Sequence, residues 1–147
     1  MTKLLALLLL VGCAESPSKA PSCEGRYHFD ASFPEAWKPS VRDAVSRWNL
    51  YTPTILIETD KDPACAFKST DAPMSHNVEG LTFTTHEICT KVLGLNCITY
   101  EAMHAIGHQM GLCHISDVGV MNPTYIIPVI TDADIIECKR VGGCSQP

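Results

Sequence analysis

The spacing of three histidines in the segment HAIGHQMGLCH, residues 104–114, constrains this chain more than any other feature. On a helix, His104 and His108 lie one turn apart and about 40° apart around the axis, so both imidazoles can reach one ion. Gly111 can adopt the left-handed conformation that ends a helix, and His114 can then approach the same ion from outside the helix. The spacing therefore predicts a metal site with three imidazole ligands. Three protein ligands leave a fourth zinc position open for water.

The segment 104–125 resembles the metzincin zinc peptidases, whose pattern is H-E-x-x-H-x-x-G-x-x-H followed by a Met-turn. In this chain HAIGHQMGLCH is followed by ISDVGVMNPTY. The resemblance is closest to small bacterial lipoprotein members of the matrixin family. It implies one Zn²⁺, a peptide or protein substrate, and a set of site residues: the ligands His104, His108 and His114, Met121 of the Met-turn beneath the metal, and Pro123 and Tyr125 at the substrate pocket.

Ala105 is the main departure from the family pattern, because it occupies the position of the catalytic glutamate. In the family that glutamate takes a proton from zinc-bound water and passes it to the leaving amine. General acid–base assistance is typically worth about 10²–10⁴-fold, and a methyl group can perform neither transfer. The resemblance therefore implies a zinc endopeptidase whose hydrolysis is abolished or strongly reduced, whether the alanine is natural or introduced. The alternative is a non-catalytic envelope lipoprotein that binds zinc and peptides.

Other side chains near the histidines have more than one interpretation. Glu101 lies one helical turn before Ala105 but about 6 Å away along the axis, so a direct proton shuttle would be strained. It could instead accept the second ring proton of His104, or be a solvated residue. Asp117 is interpreted as a turn residue or a partner of a metal ligand. The hydroxyl of Tyr125 either assists an oxyanion or only packs.

The N-terminus indicates export. The apolar run 4–11 follows a short cationic start and is too short to span a bilayer. The residues before Cys13 resemble a bacterial lipobox, in which cleavage precedes the cysteine and lipid is attached to it. We therefore interpret 1–12 as a lipoprotein signal peptide, Cys13 as the lipid attachment site, and the location as the cell envelope, periplasmic or outer surface. An ordinary signal peptide with an incidental Cys13 is the alternative.

The remainder of the chain is expected to form one domain. Residues 13–22 are polar and contain prolines, which is typical of an extended tether. Residues 23–147 suffice for one compact core but not for two ordinary domains. The net charge of −5 and the lack of a basic cluster argue against nucleic acid or anionic lipid as a partner, so any membrane attachment would come from the lipid on Cys13. We also expect a monomer.

The eight cysteines predict a disulfide framework in an exported chain. Without Cys13 the number is odd, so at least one thiol would be free, bound to a ligand or paired between molecules. Sequence spacing suggests three pairs, namely Cys23 with Cys65, Cys89 with Cys97, and Cys138 with Cys144. Cys113 is then left alone, with a disulfide or buried thiol favoured over metal ligation.

The order of predicted elements indicates an α+β fold of the zincin type with a small mixed sheet. Hydrophobic periodicity predicts an N-terminal helix over 34–50 with Ser40 as a candidate cap, and strands over 52–60 and 80–86 with a further one near 87–92. A metal-bearing helix is expected over 99–110, followed by the Met-turn. A closing helix over 131–140 should begin with a threonine cap.

Overall fold

Helices and a small sheet make up the fold. A computed structural model of the chain describes residues 26–31, 33–52, 56–60, 66–70, 82–84, 94–123 and 127–144, with the backbone alone for 66–70 and 82–84. Within these residues the elements are, in chain order, β1 (Arg26–Phe29), α1 (Lys38–Trp48), β2 (Ile57–Glu58), β3 (Ala66–Thr70), β4 (Thr82–Thr84), α2 (Leu95–Gln109) and α3 (Asp132–Val141). The predicted combination of helices with a small sheet is confirmed.

The sheet has the strand order β2-β1-β3-β4, and every described pair of neighbours is parallel. The described strands include no antiparallel pair, which differs from the mixed sheet that the sequence predicts. The strand predicted over 80–86 contains β4, and the one predicted over 52–60 contains only the short β2. The strand near 87–92 falls outside the described residues. β1 and β3 were not predicted, because segments as short as RYHF and AFKST carry little alternation of apolar and polar residues.

Helix α1 presents its predicted apolar face to the core. It follows a 3-10 turn over Glu35–Trp37, and Pro39 lies in its first turn, where the missing N–H is tolerated. Ser40 lies inside the helix and is buried, so its prediction as a cap is wrong. The 3-10 turn lets the helix begin before that serine. The buried face consists of Val41, Ala44, Val45 and Trp48, as the periodicity predicted.

The core lies mainly between α1 and α2. The indole Nε1 of Trp48 donates a hydrogen bond to the backbone oxygen of Met103 at 2.8 Å, and both side chains are fully buried. Ile98 and Ile106 contribute to the same core from α2. Helix α2 begins at Leu95, earlier than the predicted residue 99, directly after Gly94. This packing fixes α2, which carries two of the three histidines.

Helix α3 and the loop after it are the last described elements of the chain. Thr131 caps the helix in a capping box with Asp134, which confirms the predicted threonine cap. The predicted disulfide between Cys138 and Cys144 is present, with an S–S distance of 2.04 Å. Cys113 is also disulfide-bonded, so the prediction that it stands alone is wrong. Sequence spacing shows only local loops and cannot reveal cysteines that tertiary folding brings together.

The remaining cysteine and membrane predictions are not described by the structure. Cys97 is disulfide-bonded, whereas Cys13, Cys23, Cys65 and Cys89 lie outside the described residues, as do the predicted signal peptide and tether. None of the described helices is both long and apolar enough to cross a bilayer.

We expect Trp48→Ala to lower the free energy of unfolding by about 3–5 kcal/mol, because it removes a fully buried indole and its hydrogen bond. The measurement is urea denaturation with the disulfides intact. The matched control is Leu50→Ala in the turn directly after the same helix, where the side chain is 78% exposed, and its effect should stay within about 0.5 kcal/mol. Similar losses in both variants would contradict the placement of Trp48 in the core.

Candidate metal centre

The three predicted ligands meet at one place. His104 and His108 lie on α2, and His114 lies on the loop that follows it. The Nε2 atom of His108 is 3.0 Å from that of His104 and 3.2 Å from that of His114, and the third separation is 3.1 Å. These three histidines lie closely enough to hold a metal ion, and no other group of three histidine, cysteine, aspartate or glutamate residues among those described does so.

Backbone carbonyls orient two of the rings. Nδ1 of His104 lies 2.7 Å from the oxygen of Val120, and Nδ1 of His108 lies 2.9 Å from the oxygen of Leu112. Because a carbonyl oxygen only accepts hydrogen bonds, each Nδ1 carries the proton and donates it. In the neutral ring Nε2 is then the unprotonated nitrogen and holds a lone pair, which is the tautomer that binds a metal through Nε2.

The unprotonated Nε2 atom of His104 faces the other two rings. Burial, together with the nearby His108 and His114, lowers the pKa of His104 to about 4, so His104 is neutral at physiological pH. Its Nε2 atom lies 3.0 Å from that of His108 and 3.1 Å from that of His114. A cation placed between the three nitrogens would bind all of them as ligands. The geometry is that of a metal site.

The size of the site fits a transition metal. A circle through three nitrogens separated by 3.0, 3.1 and 3.2 Å has a radius of about 1.8 Å, which is shorter than a Zn–N bond of about 2.0–2.1 Å. All three nitrogens can thus reach one ion. Imidazole ligands suit zinc, copper, iron and nickel, so the ligand set does not by itself select the metal.

The position of His114 beside the other two histidines depends on how α2 ends. Gly111 has φ of 89°, the left-handed conformation that favours glycine, as the sequence analysis predicted. The N–H of Leu112 donates to the oxygen of Gly107 at 3.0 Å, and the N–H of Ile115 donates to the oxygen of Met121 at 3.1 Å. These bonds hold the backbone on both sides of His114.

Met121 lies against the helix that carries the first two ligands. Its side chain is fully buried, and a Cβ atom added at Gly107 would overlap its sulfur. Gly107 directly precedes His108 in α2. Met121 therefore packs on the ligand-bearing turn of the helix, which leaves no space for a side chain at residue 107.

Asp134 anchors the Met121 turn, a role that the sequence analysis missed. Its fully buried carboxylate accepts hydrogen bonds from the backbone N–H of Val120 at 3.1 Å and of Met121 at 2.9 Å. It also accepts from the N–H and hydroxyl of Thr131 at 2.8 and 2.9 Å. The T-x-x-D pattern signalled only the contact with Thr131. The bonds to the turn join segments distant in sequence and had no local signal.

Asn122 organises the loop between His114 and the turn. It is 3% exposed, and its side-chain nitrogen donates to the oxygens of Ser116 and Asp117 at 3.0 and 3.1 Å. Its own carbonyl accepts from the hydroxyl of Tyr100 at 3.0 Å. Asp117 is therefore an exposed residue of a loop tied to α2, which agrees with its interpretation as a turn residue.

The carboxyl group of Glu101, one helical turn before Ala105, is buried. Ala105 is partly buried against the core. Glu101 is only 8% exposed, and burial raises its pKa to about 7, so the interpretation of Glu101 as a solvated residue is wrong. The hypothesis that Glu101 orients His104 is also wrong, because the oxygen of Val120 accepts the Nδ1 proton.

The remaining predicted site residues are placed only in part. Pro123 is exposed directly after the Met121 turn, whereas Tyr125 lies outside the described residues. The substrate pocket thus stays a prediction, as does lipid attachment at Cys13. Cys113 is not a thiolate ligand, because its sulfur is in a disulfide.

Comparison with known proteins assigns no family to the chain, since no family model and no curated protein matches it.

We expect Asp134→Asn to lower the free energy of unfolding by about 2–3 kcal/mol, because the amide leaves a buried N–H of the Met121 turn without its acceptor. Chemical denaturation of the metal-free protein is the measurement. Asp132→Asn is the matched control in the same helical turn, since Asp132 is exposed and loses at most about 1 kcal/mol of helix-dipole interaction. Equal losses would refute the anchoring role of Asp134.

We expect Glu101→Gln to stabilise the protein at high pH only. The carboxyl pKa rises from 4.5 to about 7 on folding, so ionisation destabilises the fold progressively as pH increases through this interval. The variant should match the wild type near about pH 4 and exceed it by about 3 kcal/mol near about pH 8. The measurement is the difference in unfolding free energy between the two metal-free proteins. A difference that does not change with pH would contradict the burial of this carboxyl group.

Proposed function

We propose that the chain is a metzincin-like zinc protein of the matrixin type, in which Ala105 abolishes or strongly reduces peptide hydrolysis. The observation that carries the proposal is the convergence of three Nε2 atoms from two helical turns and one returning loop. The buried Met121 behind the ligand-bearing helix adds support, because the family pattern places a methionine turn after the third histidine.

Zinc is the metal that the resemblance to metzincins implies. Three imidazoles with no further ligand group among the described residues fit an open site of the catalytic kind. When bound, zinc supplies a Lewis acid that polarises a carbonyl and acidifies water. The chain's own contribution is to hold His104 and His108 in the required tautomer through the carbonyl oxygens of Val120 and Leu112.

The lack of a proton acceptor beside the metal supports the loss of turnover. The methyl group of Ala105 cannot take up a proton, and no described carboxylate belongs to the group formed by the three histidines. Asp134 is occupied by four hydrogen bonds from the Met121 turn and the helix cap. Glu101 is enclosed in the interior. The described residues thus offer no substitute for the missing glutamate.

The same observation favours a second candidate, a non-catalytic protein that binds zinc and peptides. In that function the substrate pocket that the resemblance predicts at Pro123 and Tyr125 would recognise a peptide without cleaving it. Both candidates are proposed as exported, lipid-anchored proteins of the bacterial envelope, on the basis of the N-terminal sequence.

We expect Ala105→Glu to restore cleavage of an unfolded protein substrate. The matched control is Ala105→Gln, which has the same shape but cannot transfer the proton. Both variants and the wild type should bind one zinc per chain, and the glutamate variant should cleave about 10²–10⁴-fold faster than the glutamine variant. Metal content and peptide-bond hydrolysis are measured side by side. Equal zinc without cleavage in any form would favour the binding protein, and a metal-free wild type would overturn both candidates.

A further inference from the structure

The side chain of Asn122 lies under the loop that follows the third histidine. Its nitrogen donates to the backbone oxygens of Ser116 and Asp117 at 3.0 and 3.1 Å, and these two residues lie two and three positions after His114. Asn122 is buried, whereas Ser116 and Asp117 are exposed. The buried amide therefore holds the middle of an exposed loop from its inner side.

The backbone of Asn122 is in turn bound to α2. Its carbonyl oxygen accepts a hydrogen bond from the hydroxyl of Tyr100 at 3.0 Å. Tyr100 is buried one helical turn before His104, and the centroids of the two rings are 5.6 Å apart. Asn122 thus joins the loop of the third ligand to the helical turn that precedes the first ligand.

Backbone hydrogen bonds hold the two ends of the same loop. The N–H of Ile115, directly after His114, donates to the oxygen of Met121 at 3.1 Å. The N–H of Met121 donates to the carboxylate of Asp134 at 2.9 Å. These bonds hold the ends of the loop, and the amide of Asn122 holds the stretch between them.

His114 needs this support more than the other two ligands do. His104 and His108 belong to α2, whose backbone has helical hydrogen bonds and which packs against α1. His114 is exposed and lies in the irregular segment after Gly111. Its Nε2 atom nevertheless lies within 3.1 and 3.2 Å of the other two. The loop backbone must therefore be held in one conformation for the three rings to meet.

We propose that Asn122 is a positioning residue for the metal centre, which holds the loop after His114 against α2 so that the His114 imidazole is directed at the ion. The third ligand is then ordered before the metal binds, so less conformational entropy is lost on binding. This inference rests on the metal-binding part of the proposed function and is independent of peptide cleavage.

Zinc affinity of the full chain, measured by competition with a chelator, tests the inference. Asn122→Ala removes the amide and should weaken zinc binding by about tenfold, the lower end of the effect of losing a group that orients a ligand. Asn49→Ala is the matched control, because the Asn49 amide also binds backbone, donating to the oxygen of Leu56 at 3.2 Å and accepting from its N–H at 2.8 Å. These residues are not part of the loop, so the control should change zinc affinity by less than about twofold.

A double-mutant cycle with His114→Ala separates positioning from general stability. His104 and His108 remain in that background and should bind zinc more weakly. If Asn122 acts through His114, Asn122→Ala should cause no further loss of affinity there. A residue that only stabilises the fold would weaken zinc binding equally in both backgrounds, and that result would overturn the inference.

Tyr100→Phe provides a milder variant if Asn122→Ala does not fold, because it removes one hydroxyl and keeps the buried ring. It should weaken zinc binding by about two- to fivefold, and only when His114 is present. Zinc affinity unchanged in both Asn122→Ala and Tyr100→Phe, or lowered as much by Asn49→Ala, would overturn the inference and leave the zinc site intact. A wild type without zinc would overturn it together with the proposed function.

Discussion

The close approach of three imidazole nitrogens is the interaction on which the rest of this structure depends. His104 and His108 donate their Nδ1 protons to backbone oxygens, which directs both Nε2 atoms to one point, so the fold must hold the two rings at this spacing. The packing of α1 on α2 around Trp48 and the bonds to Val120 and Leu112 hold them there. A cation that binds only the folded arrangement would stabilise it, and metal binding would then be coupled to stability.

Helix α3 explains how irregular loops can hold a defined site. The segment 110–123 has no regular secondary structure, yet its backbone is bound by side chains from outside the segment. Asp134 accepts hydrogen bonds from two N–H groups of the Met121 turn, and the Tyr100 hydroxyl donates to the backbone oxygen of Asn122. Buried backbone groups of this kind need partners, and the helices α2 and α3 supply them without a further strand.

Within the proposed function, position 105 separates metal binding from hydrolysis. The hydrogen bonds that orient the histidines and the packing of Met121 do not involve the side chain of residue 105, so the three histidines meet with an alanine there. Proton transfer, in contrast, requires a titratable group within reach of the reacting water, and a methyl group offers none. A protein of this design can retain the complete ligand set and lose only the step that requires the carboxylate.

The sequence by itself determined the features that depend on local periodicity. The spacing of His104 and His108, the left-handed Gly111, the buried face of α1 and the Thr131 cap each arise within a few residues, where helix geometry is fixed. Only the tertiary structure decided which distant groups meet. The carbonyl that orients His104, the turn that Asp134 binds, the burial of Glu101 and the pairing of Cys113 depend on how elements pack, and no local pattern specifies that. The short strands β1 and β3 belong with them, because two neighbours in the sheet stabilise each strand more than its own residues do.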